Sequence, residues 1–136
     1  MEGQEILQQA MLLRQESEEI ERQLQFVNEQ ITDLEGFGNN LEALEKSDEK
    51  EVLSNIGRGV FMKTTRSAGE KLFVEVGAGV IVRKTPEETR KVIAEQVKKF
   101  KDAKIQLTMQ LESHADQFRA MLKEVEGLKT GEPEKE

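Results

Sequence analysis

Apolar residues recur in alternating steps of four and three along both ends of this chain. The first series reads Ile6, Ala10, Leu13, Ser17, Ile20, Leu24, Val27, Ile31, Leu34, Gly38, Leu41. The second reads Ile93, Val97, Phe100, Lys104, Leu107, Leu111, His114, Phe118, Met121, Val125, Leu128. Nine of eleven positions are apolar in each. Such spacing lines up its members on one stripe of an α-helix, the seam of a coiled coil. No proline interrupts the first series, and a helix of about 40 residues would run roughly 60 Å, too long to lie across one small globule. Gly36 and Gly38 each weaken a helix by about 1 kcal/mol relative to alanine. Together with Asn39 and Asn40 they predict a kink or early break near its end. The second helix has a clear start in Thr85-Pro86-Glu87-Glu88, where Thr85 can cap, Pro86 suits the first turn and Glu88 can complete a capping box. Two seams of equal length joined by a compact insert predict one antiparallel pair, with Leu41 near Ile93 and Ile6 near Leu128.

The middle of the chain changes period. Val60-Phe61-Met62-Lys63-Thr64-Thr65, Leu72-Phe73-Val74-Glu75-Val76 and Val80-Ile81-Val82-Arg83 are rich in β-branched and aromatic residues and read as strands. Val52-Leu53 with Ile56 makes a further short strand, and Ser67-Ala68-Gly69-Glu70 reads as a turn. The segment also repeats itself: Ile56-Gly57-Arg58-Gly59-Val60-Phe61-Met62-Lys63 returns twenty residues later as Val76-Gly77-Ala78-Gly79-Val80-Ile81-Val82-Arg83. Glycine permits the positive φ of a tight turn, so each Gly-x-Gly predicts a β-hairpin. Two lone hairpins are marginal. Leu72, Val74 and Val76 alternate with Phe73, Val60 and Met62 with Phe61, and Val80 and Val82 with Ile81, so apolar groups fall on both faces. Such an insert would leave open edges and exposed apolar surface unless it folds back on its own helices or, as their narrow seams favour, joins strands of other subunits in a closed barrel.

Charge and composition exclude other classes. The 136 residues carry a net charge of −7, no cysteine and no tryptophan or tyrosine. Residues 1–45 hold eleven acids against Arg14 and Arg22 only, and no long basic stripe exists, which disfavours nucleic-acid binding. Without cysteine there are no disulfides, zinc–thiolate sites or cysteine nucleophiles, and a reducing, cytoplasmic setting fits. The Glu- and Gln-rich start has no uninterrupted apolar run, so it reads as neither a signal peptide nor a membrane span. Gly57-x-Gly59 and Gly77-x-Gly79 lack the third glycine of a dinucleotide fingerprint, and no phosphate-binding loop is present. His114 stands alone, so no catalytic residue, metal site or cofactor is expected.

Val74-Glu75-Val76-Gly77-Ala78-Gly79-Val80-Ile81-Val82-Arg83-Lys84-Thr85 resembles the second hairpin, and the entry to the second coil, of α-class prefoldin subunits of archaea and eukaryotes. The copy from Ile56 to Lys63 resembles the first hairpin, and the order long helix, two hairpins, long helix extends the resemblance over nearly the whole chain. It implies a mainly α fold: a long antiparallel coiled-coil hairpin with two β-hairpins at its base that form an intersubunit β-barrel. One domain would span residues 1–128, with coils at 1–45 and 86–128, hairpins at 46–85 and a disordered tail at 129–136. The resemblance also implies a hexamer of two α and four β subunits. Its function would be ATP-independent capture of unfolded proteins and their delivery to a group II chaperonin, with no role for nucleic acid or membrane. Assembly would rest on Ile56, Gly57, Gly59, Val60, Phe61 and Met62 in the first hairpin. In the second it would rest on Leu72, Phe73, Val74, Val76, Gly77, Gly79, Val80, Ile81 and Val82.

A holding chaperone needs adaptable apolar surface. Mid-helix positions such as Arg14, Glu18, Glu21 and Gln25 are polar, but Leu7, Met11, Leu12 and Leu122 lie off the seam near the two chain ends. With Ile6, Met121, Val125 and Leu128 they form a candidate client-binding tip, and methionine suits promiscuous contacts. Ile105 and Met109, also off the seam, would line a cavity wall or pack on a neighbouring coil. Two other readings fit the same residues: a structural coiled-coil protein that polymerises through its hairpins, and an adaptor for one specific partner.

Overall fold

The computed structural model describes residues 2–67 and 69–129. Helix α1 (Glu2–Lys46) is followed by strands β1 (Glu51–Gly57), β2 (Val60–Thr65), β3 (Leu72–Gly77) and β4 (Val80–Lys84), then helix α2 (Pro86–Lys129). The chain divides into two compact units, one of residues 1–31 with 99–136 and one of residues 32–98. The expected tail lies outside the described residues from position 130 onward, and Lys129 is still helical.

The first unit is a pair of helical segments whose contact follows the heptad seam. Ile6, Leu13, Ile20, Val27 and Ile31 are buried, and Ala10, Ser17 and Leu24 are half-buried between them. On α2 the half-buried residues are Phe100, Ala103, Leu107, Leu111, His114, Phe118, Met121 and Val125. Lys104, expected in the seam, is exposed, and Ala103 takes the inward position beside it. That placement keeps the ammonium in water and spares its desolvation. Ser17 Oγ lies 3.5 Å from His114 Nδ1, which fixes the register of this unit. Eleven residues towards the ends from that layer, Ile6 comes level with Val125, three residues short of the expected Leu128.

The second unit holds the other end of the helices and both hairpins. Of the kink or early break expected near the end of α1, the break does not occur: α1 stays helical through Gly36, Gly38, Asn39 and Asn40 to Lys46. Leu41 and Ile93 are buried here, and burying each such side chain contributes about 2 kcal/mol, enough to offset two glycines. Ile93 lies against Gly38; a methyl added at Gly38 would sit 3.8 Å from Ile93 Cγ2, ordinary contact. Arg90 on α2 binds Glu45 on α1 through two parallel bonds, Nε–Oε1 at 3.1 Å and Nη2–Oε2 at 2.8 Å. The start of α2 is a reciprocal capping box: the Glu88 N–H donates to Thr85 Oγ1 at 3.0 Å, and the Thr85 N–H donates to Glu88 Oε1 at 2.8 Å. The Thr85 N–H bonded to that carboxylate, and after it the Thr85 hydroxyl, hold the Glu88 carboxyl pKa below its ordinary value. Buried Thr89 donates its hydroxyl to the Thr85 carbonyl at 2.9 Å.

Each hairpin is a separate two-stranded antiparallel sheet, β1 with β2 and β3 with β4. Both turn in the same way. Arg58 and Gly59 (φ 51° and 78°) form one turn, and Ala78 and Gly79 (φ 52° and 76°) the other. Positive φ at both central residues is the type I′ geometry that matches strand twist. The first glycine of each Gly-x-Gly closes a bulge instead: Gly57 pairs with Val60 and Gly77 with Val80, leaving Ile56 and Val76 outside the ladder. In the first hairpin Asn55 Oδ1 accepts from the Gly57 N–H at 2.8 Å and braces the bulge. Across the sheet, Ser54 Oγ and Thr64 Oγ1 lie 2.9 Å apart. Arg66 ties the hairpin to its approach: Nε donates to the Glu49 carbonyl at 2.8 Å and Nη2 to the Ser47 carbonyl at 2.6 Å.

Replacing Gly79 by valine should strain the second turn by about 1–2 kcal/mol. Amide exchange along β3 and β4 should then quicken by about tenfold. Ala78→Gly should slow it.

Candidate functional site

Apolar side chains that a folded chain would ordinarily hide are exposed in two regions. In the hairpins, register decides which residues share a face. Asn55 pairs with Phe61 and Leu53 with Lys63, so Leu53 and Phe61 lie on one face of the first hairpin; Glu75 pairs with Ile81 and Phe73 with Arg83, which places Phe73 and Ile81 together on the second. These four residues are between 55% and 70% exposed. Arg83 stacks over the Phe73 ring with its guanidinium carbon 5.5 Å from the centroid, a contact that leaves most of the ring in water. On the opposite faces Val52, Ser54, Thr64, Leu72, Val74 and Val82 are half-buried. Ile56, Val60, Met62, Val76 and Val80 near the turns are exposed. Among the described residues, each two-stranded sheet also keeps both edges open. This combination of exposed faces and free edges is the surface that strand addition from another chain would cover.

The second region is the end of the first unit where α1 begins and α2 finishes. Leu7, Met11, Leu12, Leu122 and Leu128 are exposed, Met121 and Val125 are half-buried, and Ile6 is buried in the seam. Ile6 therefore holds the helices together beneath the apolar residues rather than standing among them. One groove of this unit is lined by Arg14, Ser17 and Glu21 on one wall and by Leu111, His114, Ala115 and Phe118 on the other. Leu7 stands one heptad before Arg14, and Leu122 one heptad after Ala115. Heptad spacing keeps residues on one flank, so Leu7 and Leu122 continue the two walls of that groove towards the helix ends.

Two exposed aromatics escaped the sequence reading, Phe26 and Phe37. Phe26 opens a groove on the other flank with Glu19, Arg22, Gln23, Ala103 and Gln106. Its signal was available: it is a lone ring in an otherwise polar run, one position before the seam residue Val27. Ile105 and Met109 are exposed as well.

The polar layer is the seam's weak point. His114 faces Ser17, and its Nε2 lies 4.0 Å from Glu16 Oε1. Two polar groups, Ser17 and His114, at an otherwise apolar seam set register at a cost in stability. His114→Leu should therefore raise the thermal midpoint of the coil by about 4 °C, a gain of roughly 1 kcal/mol. Circular dichroism melts read it directly. Among the described residues no group of three or more metal-ligating side chains exists, and no helix is long and apolar enough to cross a membrane.

With this geometry in view, comparison with known proteins is specific. The family model described as Prefoldin subunit matches residues 13–130. The chain is 26% identical over 132 residues to the prefoldin subunit alpha of Methanobrevibacter smithii, covering 94% of this chain and 90% of that one. It is 26% identical over 125 residues to the prefoldin subunit alpha of Archaeoglobus fulgidus, covering 91% of each. Among solved structures it is similar to the cryo-EM structure of filamentous PFD from Methanocaldococcus jannaschii. That match has a TM-score of 0.71 at 18% identity, over 89% of this chain and 98% of that one. A family match over most of the chain, alpha-subunit relatives along its length and a shared fold of two long helices around two hairpins lead to one conclusion: this chain belongs to the prefoldin family, a family of chaperones rather than enzymes, as an alpha-class subunit.

Proposed function

We propose that this subunit acts in a cytoplasmic, ATP-independent holding chaperone and has no catalytic activity of its own. Its two hairpins join those of β-class subunits in closed barrels within an α2β4 hexamer. The apolar helix ends around Leu7, Met11, Leu12, Leu122 and Leu128 take up non-native proteins, which pass on to a group II chaperonin. The observation that carries the reading is the hairpin surface: Leu53, Phe61, Phe73 and Ile81 are exposed on two-stranded sheets with open edges, an arrangement that is marginal in water until other strands cover it. That surface supports the barrel step; client capture rests on the exposed residues at the helix ends and on the alpha-subunit relatives.

A second reading has one observation in its favour. The similar solved structure is of a filamentous PFD, and hairpins that add strands without closing a ring would build a filament. The test is an aggregation assay without nucleotide on three unrelated unfolded proteins, with the chain assembled alongside a β-class subunit. Suppression of all three is the expected result. Suppression of one alone would point to a dedicated adaptor, and of none to a structural filament.

A further inference from the structure

The chain has no cysteine, tryptophan or tyrosine, so the thioethers of its methionines are its only sulfur groups and the side chains most open to peroxide. Four of them, Met11, Met62, Met109 and Met121, lie among the described residues, and their settings differ. Met121 is half-buried in the seam. Met62 is exposed in the single chain, but it sits on the β1–β2 hairpin that strands of other subunits would cover. Met11 and Met109 are 64% and 60% exposed on the helices of the first unit. These two are not equivalent. From the layer of Ser17 and His114, Met11 lies six residues towards the helix ends and Met109 five residues away from them. That sets them about 16 Å apart along the coil. Met11 stands one turn after Leu7 and directly before Leu12, both more than half exposed. Among the described residues it is the one exposed sulfur of the apolar helix ends.

We infer that Met11 is an oxidation site through which a peroxide turns client capture down without dismantling the assembly. The inference rests on the helix ends being the client surface. The thioether sulfur gives an electron pair to one peroxide oxygen as the O–O bond breaks; that oxygen stays on sulfur as a sulfoxide, and the other leaves as water. The product is polar where the thioether was apolar and adaptable, so it puts a strong hydrogen-bond acceptor into a surface that works by apolar contact. Met11 lies off the seam, and the oxidised chain keeps its helix pair: Ile6 and Leu13, which hold that end together, are buried and carry no sulfur. The change is reversible. A methionine sulfoxide reductase supplied with a dithiol removes the oxygen as water and leaves the dithiol as a disulfide.

The test treats the assembled oligomer with dilute hydrogen peroxide, removes the peroxide, and compares suppression of client aggregation after and before treatment. Peptide mass analysis should find Met11 and Met109 carrying one added oxygen ahead of Met62 and Met121. Suppression should fall about fivefold at unchanged oligomer mass, and the reductase with its dithiol should restore it. An oligomer carrying Met11→Leu, built with the same partner subunit, should lose less than about twofold of its own starting suppression on the same treatment. One carrying Met109→Leu should lose as much as the unchanged protein. Full suppression with Met11 oxidised, an equal loss in Met11→Leu, or protection by Met109→Leu instead would overturn the assignment to Met11 and leave the client surface standing. Without peroxide, Leu7→Ser and Leu122→Ser together should weaken suppression. Undiminished suppression in that variant would overturn the client surface itself and the oxidation site with it.

Discussion

Changing Phe73 and Ile81 together to aspartate should abolish assembly and leave a helical, folded chain. Both side chains are more than 60% exposed in the isolated subunit and lie on one face of the β3–β4 hairpin. Within the single chain, then, aspartate there costs little: it removes no buried contact and takes no charge out of water. In a barrel the same positions would be covered. Losing a phenylalanine and an isoleucine from a covered interface removes about 4 kcal/mol, a weakening of roughly a thousandfold in each contact. Two uncompensated carboxylates would add to that. Size-exclusion chromatography with light scattering should report a monomer, and circular dichroism an unchanged helical signal. An oligomer of undiminished mass would mean that this face is not the one that assembles.

The second large effect is at the other apolar region. Changing Leu7, Met11, Leu122 and Leu128 to serine should cut suppression of client aggregation by about tenfold or more, with assembly intact. All four are about half exposed or more, while the residues that hold the helices together, Ile6 and Leu13, are buried beneath them. Removing four exposed apolar side chains therefore spares the seam. It takes away roughly 1 kcal/mol or more of contact for each residue that a client would cover. Suppression at the original level would assign client capture to another surface, for which Phe26, Ile105 and Met109 are the exposed alternatives.

Much of this architecture was legible because it depends on local chemistry. The heptad seams, the Thr85–Glu88 capping box and both Gly-x-Gly turns each rest on residues within a few positions of one another. The features that were misread depend on the partner element. Heptad spacing gives a stripe but no axial register, so it pairs Ile6 with Leu128, whereas in the structure Ile6 comes level with Val125. The matching polar interruptions at Ser17 and His114, which meet in one layer, carried that information. The stripe also leaves the rotation at each layer open, and this is why Ala103 replaces the charged Lys104 in the seam. Continuity of α1 through Gly36 and Gly38 reflects packing around Leu41 and Ile93, which outweighs local propensity. The turn takes the last two positions of each Gly-x-Gly, Arg58-Gly59 and Ala78-Gly79, which leaves Gly57 and Gly77 to the bulges that set Ile56 and Val76 outside the ladder.

Both large predictions presuppose that strands of other subunits complete the hairpins. The most direct test is the native mass of the purified chain mixed with a β-class prefoldin subunit. A discrete complex of two copies of this chain with four of its partner is the predicted result. A stable lone monomer in that mixture, with β1–β4 amides already protected from exchange, would contradict the account.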